Sequence, residues 1–157
     1  MKVLTSIFLF LVLTSCSTHS VKNSYNSEDL VGVWELKYDG VPPYWFSQIG
    51  FTKTGKKCVL SYEFNSRGEV EMTYYDNRYQ VKDGHLYTYV DYSSTPYLRK
   101  GEVIKDRIDI LKPDYFEVLM VLPFKGDTQE KHLRLDDISP EELCKIVDDF
   151  RKINAIS

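Results

Sequence analysis

The sequence predicts a mainly β protein, a single antiparallel up-and-down β-barrel of about eight strands with one C-terminal α-helix packed on it. Three observations support this fold class. From residue 30 onward, apolar and polar residues alternate in short runs, the period-2 pattern of antiparallel strands. Turn-forming residues separate the runs, and no helical pattern interrupts them before residue 139. Because a sheet of so many twisted strands usually closes or splits, we expect a closed barrel.

The predicted strands follow one another at short spacing. Residues 57–64 and 69–75 alternate most regularly and should form a hairpin with one apolar face. Asp83 and Gly84 give the strongest two-residue hairpin signal in the chain. The predicted strands are 30–38, 57–64, 69–75, 78–82, 85–92, 97–104, 107–111, 115–122 and 131–135, and residues 44–52 are either a second short strand or a structured lid.

One amphipathic helix is predicted at about 139–153. Ser139, Pro140 and Glu142 are typical of a capping-box start with proline at the first helical position. Apolar residues then recur at helical spacing, so the helix should pack on the sheet rather than lie on a membrane, which Asp148 and Asp149 disfavour. The apolar stripe comprises Leu143, Ile146, Val147, Phe150 and Ile153.

The N-terminus resembles the export signal of a bacterial lipoprotein. Lys2 precedes an apolar run at 3–13, roughly half the length of a membrane-spanning helix. Residues 13–16, an aliphatic residue and two small ones before Cys16, are similar to the lipobox of that class. The resemblance implies that residues 1–15 are removed and that Cys16 carries fatty acyl chains such as palmitate. The alternative is an ordinary signal peptide with a cysteine near the cut by chance.

The lipoprotein resemblance also implies where the protein is located and how the chain is divided into domains. Residues 16–28 should form a flexible tether, and residues 29–157 one folded domain. Several acyl chains on one residue anchor it firmly, since each buried methylene adds about 0.8 kcal/mol. We therefore expect a lipid-anchored protein of the cell envelope facing the periplasm. Ser17 after the cysteine resembles an outer-membrane address.

The charge balance narrows the class of partner. The full chain has a formal net charge of −3. Loss of Lys2 with the signal peptide changes it to −4, and no basic stripe is present. This mild acidity argues against nucleic acid as a partner.

The cysteines predict a disulfide. With Cys16 lipidated, Cys58 and Cys144 form an even remainder in an oxidising compartment, which favours a bridge between helix and barrel. The alternative is two buried free thiols, since spacing alone does not bring them within bridging distance.

The first strand resembles the signature of lipocalins and of bacterial lipocalin-like lipoproteins. Gly32 and Trp34 match its Gly-x-Trp motif, and residues 113–115 resemble a second, looser motif between two late strands. The resemblance implies that Trp34 plugs one end of an eight-stranded barrel, that Gly32 permits close backbone approach, and that Arg134 packs across the tryptophan.

The sequence carries no motif of a known catalytic class. It has no nucleophile elbow, no zinc-protease helix, no phosphate loop and no Cys-x-x-Cys pair. His85 and His132 fall on different strands, and strand histidines are more often surface or core residues than bases or ligands. We therefore expect a protein that is not an enzyme, with no cofactor and no metal site.

The aromatic content favours a binding role of one of two kinds. Twelve tyrosines are present, and a tyrosine suits both a pocket wall and a protein interface. In the first hypothesis, implied by the resemblance, the barrel binds a small amphipathic or lipidic ligand. Its expected wall is Tyr62, Phe64, Met72, Tyr74, Leu86 and Val90.

In the second hypothesis the barrel is filled by its own side chains. The protein is then a periplasmic interaction module, an inhibitor or immunity-type lipoprotein that binds an envelope protein. The expected contact surface is Tyr44, Trp45, Phe46, Tyr87, Tyr89, Tyr92 and Tyr97. A third reading is that the tyrosines are only good strand formers.

Overall fold

The computed structural model describes residues 25–37, 45–122 and 126–155. The predicted signal peptide at 1–15, Cys16 and the tether as far as residue 24 lie outside the described residues. Every statement about the structure refers to the described residues.

Eight antiparallel strands form a closed barrel in which each strand pairs with the next along the chain and β8 pairs with β1. This confirms the predicted fold class. The strands are β1 Gly32–Leu36, β2 Trp45–Phe51, β3 Lys56–Phe64, β4 Val70–Lys82, β5 His85–Ser93, β6 Val103–Leu111, β7 Tyr115–Leu122 and β8 Gly126–Leu135.

The strand boundaries differ from the prediction in three places. The two strands predicted at 69–75 and 78–82 are one continuous strand, because Asp76 and Asn77 pair with β3 and β5 instead of turning the chain. The register shift there leaves Asp91 as the extra residue of a β-bulge, and its backbone N–H donates to the Asn77 side chain at 3.3 Å. Most of 97–104 lies before β6 begins, and β8 begins five residues earlier than the predicted start at 131.

The helix α1, Pro140–Asn154, follows the N-cap Ser139. The predicted capping box is present, with the Ser139 hydroxyl accepting from the Glu142 backbone N–H. The helix packs across β2, β3 and β4. Its predicted stripe is only partly covered: Leu143 and Val147 are buried, whereas Ile146 is exposed and Cys144 is buried beside the stripe.

The predicted Cys58–Cys144 disulfide is confirmed. It joins β3 to α1 with a Cα–Cα distance of 5.2 Å. Gly50 lies under the same helix, where a Cβ would approach Leu143 Cδ2 to 3.2 Å. The glycine therefore lets the helix sit close to the barrel wall.

The strand pairing separates an inner from an outer face. Residues directly opposite each other on paired strands share a face. Trp34 and Ile49 are paired and belong to the main buried cluster inside the barrel, together with Phe51, Tyr79 and Phe116. Cys58 and Tyr74 belong to a second cluster with residues of α1 on the outside.

Four of the six predicted pocket residues lie on this outer face, which corrects the prediction. Successive strand residues point to opposite faces, so the side that carries Cys58 also carries the other even-numbered positions of β3 and their partners on β4. Since Cys58 bridges to a helix outside the barrel, that side cannot line the interior. The displaced residues are Tyr62, Phe64, Met72 and Tyr74.

The folded domain begins earlier than residue 29. Residues Ser27–Leu30 form a 3₁₀ helix that Asn26 caps by a hydrogen bond with the Glu28 backbone N–H. The Ser27 hydroxyl oxygen accepts from the Val81 backbone N–H at 2.9 Å. Residues 25–28, predicted as the end of the tether, therefore belong to the domain.

Candidate functional site

One end of the barrel is closed by Trp34. Its indole Nε1 donates to the Leu30 carbonyl at 2.8 Å, and the Arg134 guanidinium lies 5.0 Å from the ring centroid. Arg134 in turn donates to the carbonyls of Val31 at 2.6 Å and Pro113 at 3.1 Å. These contacts fix the plug and give Gly32, Trp34 and Arg134 the positions that the lipocalin resemblance implied.

Aromatic rings cover the inner side of this plug. Phe116 meets Trp34 edge-on with centroids 4.8 Å apart, and Phe51 meets Tyr79 edge-on at the same distance. All four side chains are buried. They form an apolar floor across the closed half of the barrel.

Four titratable side chains point into the barrel next to this floor, and we call Lys57, Asp106, Glu130 and His132 the inner polar cluster. The pairing places each one opposite an inner residue: Lys57 opposite Phe51, Asp106 opposite Leu86, Glu130 opposite Val118 and His132 opposite Phe116. Burial of charged groups in a barrel is costly, so their presence there calls for a compensating role.

His132 is the most deeply buried member, with 1% of its surface exposed. Its ring stacks on Phe116 with centroids 4.2 Å apart and planes 9° from parallel. Burial lowers the pKa of His132, against the attraction of Glu130, whose Oε2 lies 3.3 Å from Nε2. That approach lacks hydrogen-bond alignment, so both ring nitrogens are without a hydrogen-bond partner among the described residues.

Asp106 is 4% exposed, and its Oδ1 also has no hydrogen-bond partner among the described residues. Burial raises the pKa of its carboxyl to about 6, with the charge of Lys57 opposing and that of Glu130 adding to the increase. Burial lowers the pKa of Lys57, whose ammonium donates to Thr88 Oγ1 at 3.0 Å. The four groups therefore share one electrostatic environment.

Away from the floor, the inner wall is mixed. The Ser61 hydroxyl donates to Ser47 at 2.7 Å, and both are buried. The alternation of β3 and β4 places Glu63 and Glu71 opposite each other on the same inner side, at the exposed end of the wall. Apolar residues that alternation places on this wall include Val59, Tyr75, Val90, Ile104 and Met120.

The structure places the other predicted site residues as follows. Leu86 and Val90 are buried and inner, as expected of pocket residues. Tyr87 and Tyr89 lie on the outer face, and Tyr97 is 74% exposed. The remaining candidates are partly covered on the outside, with Phe46 stacked on Tyr62 at 4.9 Å and Tyr92 stacked on Tyr74 at 5.8 Å. Tyr44 and the side chain of Trp45 lie outside what the structure describes.

The sequence analysis missed Lys57, Asp106 and Glu130. For Lys57 the sequence did carry a signal. If Cys58 faces the helix outside the barrel, the alternation on β3 places Lys57 on the inner face. Two other strand carboxylates, Asp91 and Asp109, pair with Arg78 and Arg107.

The outside of the described surface has a solvent-open groove. It lies between β2 and the start of α1 and is lined by Gln48, Asp137, Ile138, Glu142, Lys145 and Ile146.

No helix in the described part of the chain is long and apolar enough to span a bilayer. No group of His, Cys, Asp and Glu within the described ranges is arranged to hold a metal ion.

An eight-stranded, up-and-down closed barrel with this plug and an outer C-terminal helix is a lipocalin-like fold. Comparison with family models and with curated proteins finds no match. Among solved structures, a lipocalin-like protein from Bacteroides uniformis is similar. It is 15% identical with a TM-score of 0.41, and the alignment covers 68% of this chain and 99% of that one.

Proposed function

We propose that this protein is a lipid-anchored periplasmic lipoprotein that binds a small amphipathic or lipidic ligand inside its barrel. The observation that carries the proposal is the composition of the interior: an aromatic floor and a partly apolar wall beside polar atoms that have no hydrogen-bond partner among the described residues. Ligand pockets have this make-up, since apolar surface supplies affinity and a few convergent polar groups fix orientation. A barrel filled only for stability gains nothing from burying two titratable side chains, Asp106 and His132.

The anchor is proposed from the lipobox-like residues before Cys16. The disulfide supports export, because structural disulfides persist mainly in oxidising compartments. The eight residues between Cys16 and Tyr25 give nine Cα–Cα steps, which reach at most about 30 Å. The described chain enters beside the Trp34 plug, so an anchor there would keep the closed end near the membrane and leave the opposite end facing away.

Metabolic labelling with an alkyne fatty acid tests the anchor. The wild-type protein should incorporate the label and fractionate with membranes, whereas Cys16→Ala should lose both properties. Label in the variant, or a soluble unlabelled wild type, would contradict lipidation at Cys16.

Binding can be tested on a soluble form that begins at Ser17, which keeps every residue the structure describes. Titration with the fluorescent amphiphile N-phenyl-1-naphthylamine should give a saturable increase with one site per chain. A linear, unsaturable response would contradict a barrel site.

The second candidate function, a protein-interaction module, is favoured by exposed apolar side chains. Phe64 is 46% exposed, Val70 52% and Met72 39%, and all three lie at the β3–β4 hairpin on the outer face. Tyr97 is a fourth exposed apolar side chain. Exposed apolar patches of this kind mark contact surfaces. A single envelope protein cross-linked at Tyr97 but not after Tyr97→Ala, together with no ligand in the barrel, would favour this function.

A further inference from the structure

The inner polar cluster carries more negative than positive charge. Alternation places one cation, Lys57, on the inner side, where it faces the buried carboxyl of Asp106 and the partly buried carboxyl of Glu130. The rim adds Glu63 and Glu71. The other inward-lying cation of the described strands, Arg134, lies at the closed end against the Trp34 plug.

The cluster also holds acceptor atoms that receive no hydrogen bond from the described residues. A carboxylate accepts only, and Asp106 Oδ1 receives no hydrogen bond among the described residues. With the pKa of His132 lowered by burial, its neutral ring has one nitrogen that accepts and one that donates, and neither has a hydrogen-bond partner among the described residues. Lys57 directs its ammonium to Thr88 at 3.0 Å. A buried acceptor without a donor destabilises the fold, because it has lost its hydrogen bonds to water.

We propose that the ligand of this barrel carries a positively charged primary ammonium group on an apolar body, and that Asp106, Glu130 and His132 receive this head group. This inference rests on the proposed function and specifies its ligand class. An ammonium supplies three donors and one positive charge, matching both the unpaired acceptors and the charge excess. The aromatic floor offers ring faces that attract a cation as well.

The apolar body of the ligand would lie along the wall beyond the cluster, against Val59, Val90 and Met120. Asp106 Oδ1 and the two His132 nitrogens are closed off from solvent. A head group therefore reaches them only when neighbouring side chains move, and the long Lys57 side chain is suited to such movement.

Three amphiphiles with one chain length separate the charge of the head group from the apolar body. Dodecylamine, dodecanol and dodecanoate would each be titrated calorimetrically into the form beginning at Ser17, at pH 7.5 and below their micellar concentrations. Dodecylamine is protonated at this pH. It should bind about tenfold or more tightly than the other two, the usual effect of charge-assisted hydrogen bonds.

Variants locate the effect. Asp106→Asn and Glu130→Gln should each reduce the preference for the amine over the alcohol, with the affinity for the alcohol nearly unchanged. Asp91→Asn is the matched control, because Asp91 pairs with Arg78 on the exposed surface. It should leave the preference intact.

The outcomes separate this inference from the proposed function. Tightest binding of dodecanoate, lost in Lys57→Met, would overturn the ammonium assignment while the barrel remained a ligand site. Equal binding of all three would do the same. No saturable binding of any of them, together with a linear response to N-phenyl-1-naphthylamine, would overturn both.

Discussion

The guanidinium of Arg134 lies so close to Gly32 that a Cβ on the glycine would stand 2.6 Å from Nη2 and 2.9 Å from Cζ. Gly32 also has a φ of +146°, a conformation that side chains rarely adopt. Arg134 cannot move away freely, because its guanidinium donates hydrogen bonds to the carbonyls of Val31 and Pro113 and stacks over Trp34. The glycine of the signature motif therefore makes room for the cation that covers the tryptophan.

Gly32→Ala should lower the free energy of unfolding by roughly 1–3 kcal/mol, since it combines backbone strain with displacement of Arg134. Urea unfolding measures the change. Gly84→Ala is the matched control, because Gly84 also has positive φ, at 72°, but faces open space. Equal losses in the two variants would contradict a specific role for the Arg134 contact.

Removal of the disulfide should lower the free energy of unfolding. In the chain-entropy model, a bridge between residues 86 apart contributes about 4–5 kcal/mol. The double variant Cys58→Ser, Cys144→Ser should therefore unfold at much lower urea concentration than the oxidised wild type. Reduced wild type is the control for the serine substitutions, and an unchanged midpoint in both would contradict the account.

The stability of the protein should depend on pH through Asp106. Burial raises the pKa of this carboxyl to about 6 from roughly 4 in an unfolded chain, so the folded state holds more protons between these values. Its contribution to the free energy of unfolding thus falls as pH rises through this window. At pH 7.5, Asp106→Asn should be more stable than wild type by up to about 3 kcal/mol, and the gain should shrink towards pH 4.

The quantity to measure is the difference in the free energy of unfolding between Asp106→Asn and wild type at each pH. The difference is needed because His132 makes stability depend on pH in the opposite direction. Its pKa is lowered in the folded state, so its contribution is lost as pH falls, equally in both proteins. Asp91→Asn, at a carboxylate whose pKa is lowered by Arg78, should show no gain. A difference between Asp106→Asn and wild type that stays constant with pH would contradict the assignment.

Inner and outer wall residues should have different effects on binding. Val90→Phe places added volume inside the barrel and should weaken N-phenyl-1-naphthylamine binding about tenfold or more, with a stability cost of roughly 1–3 kcal/mol. Tyr62→Ala removes an outer side chain that stacks on Phe46 and should leave binding unchanged. The reverse pattern would place the site on the outer face.

The barrel, its helix and its disulfide were predictable from sequence because each depends on local signals: alternation, capping residues and an even pair of cysteines. The sequence did not allow us to predict which side of each strand faces the interior of the barrel. Alternation on β3 defines two sides, with Cys58 and Tyr62 on one and Lys57 and Ser61 on the other. The sequence predicts that the more apolar side faces the interior. The docked helix covers that side instead, so both sides of this strand are partly buried.

The polar cluster was hidden for the same reason. Lys57, Asp106 and Glu130 are far apart in sequence and carry no motif, and only barrel closure brings β3, β6 and β8 around one space. The sequence predicts a turn at Asp76 and Asn77, but such residues are also tolerated at a bulge, where the Asn77 side chain accepts the Asp91 backbone N–H.

Native mass spectrometry of the form beginning at Ser17, exported to the periplasm and purified without detergent, tests the central claim most directly. The account predicts a protein mass with the two-proton deficit of the Cys58–Cys144 bridge and a bound small molecule of lipid-like size that leaves on denaturation. Val90→Phe should carry less of it, and Tyr62→Ala as much as wild type. A bare protein mass in all three, with no mass added by dodecylamine, would contradict ligand binding in the barrel.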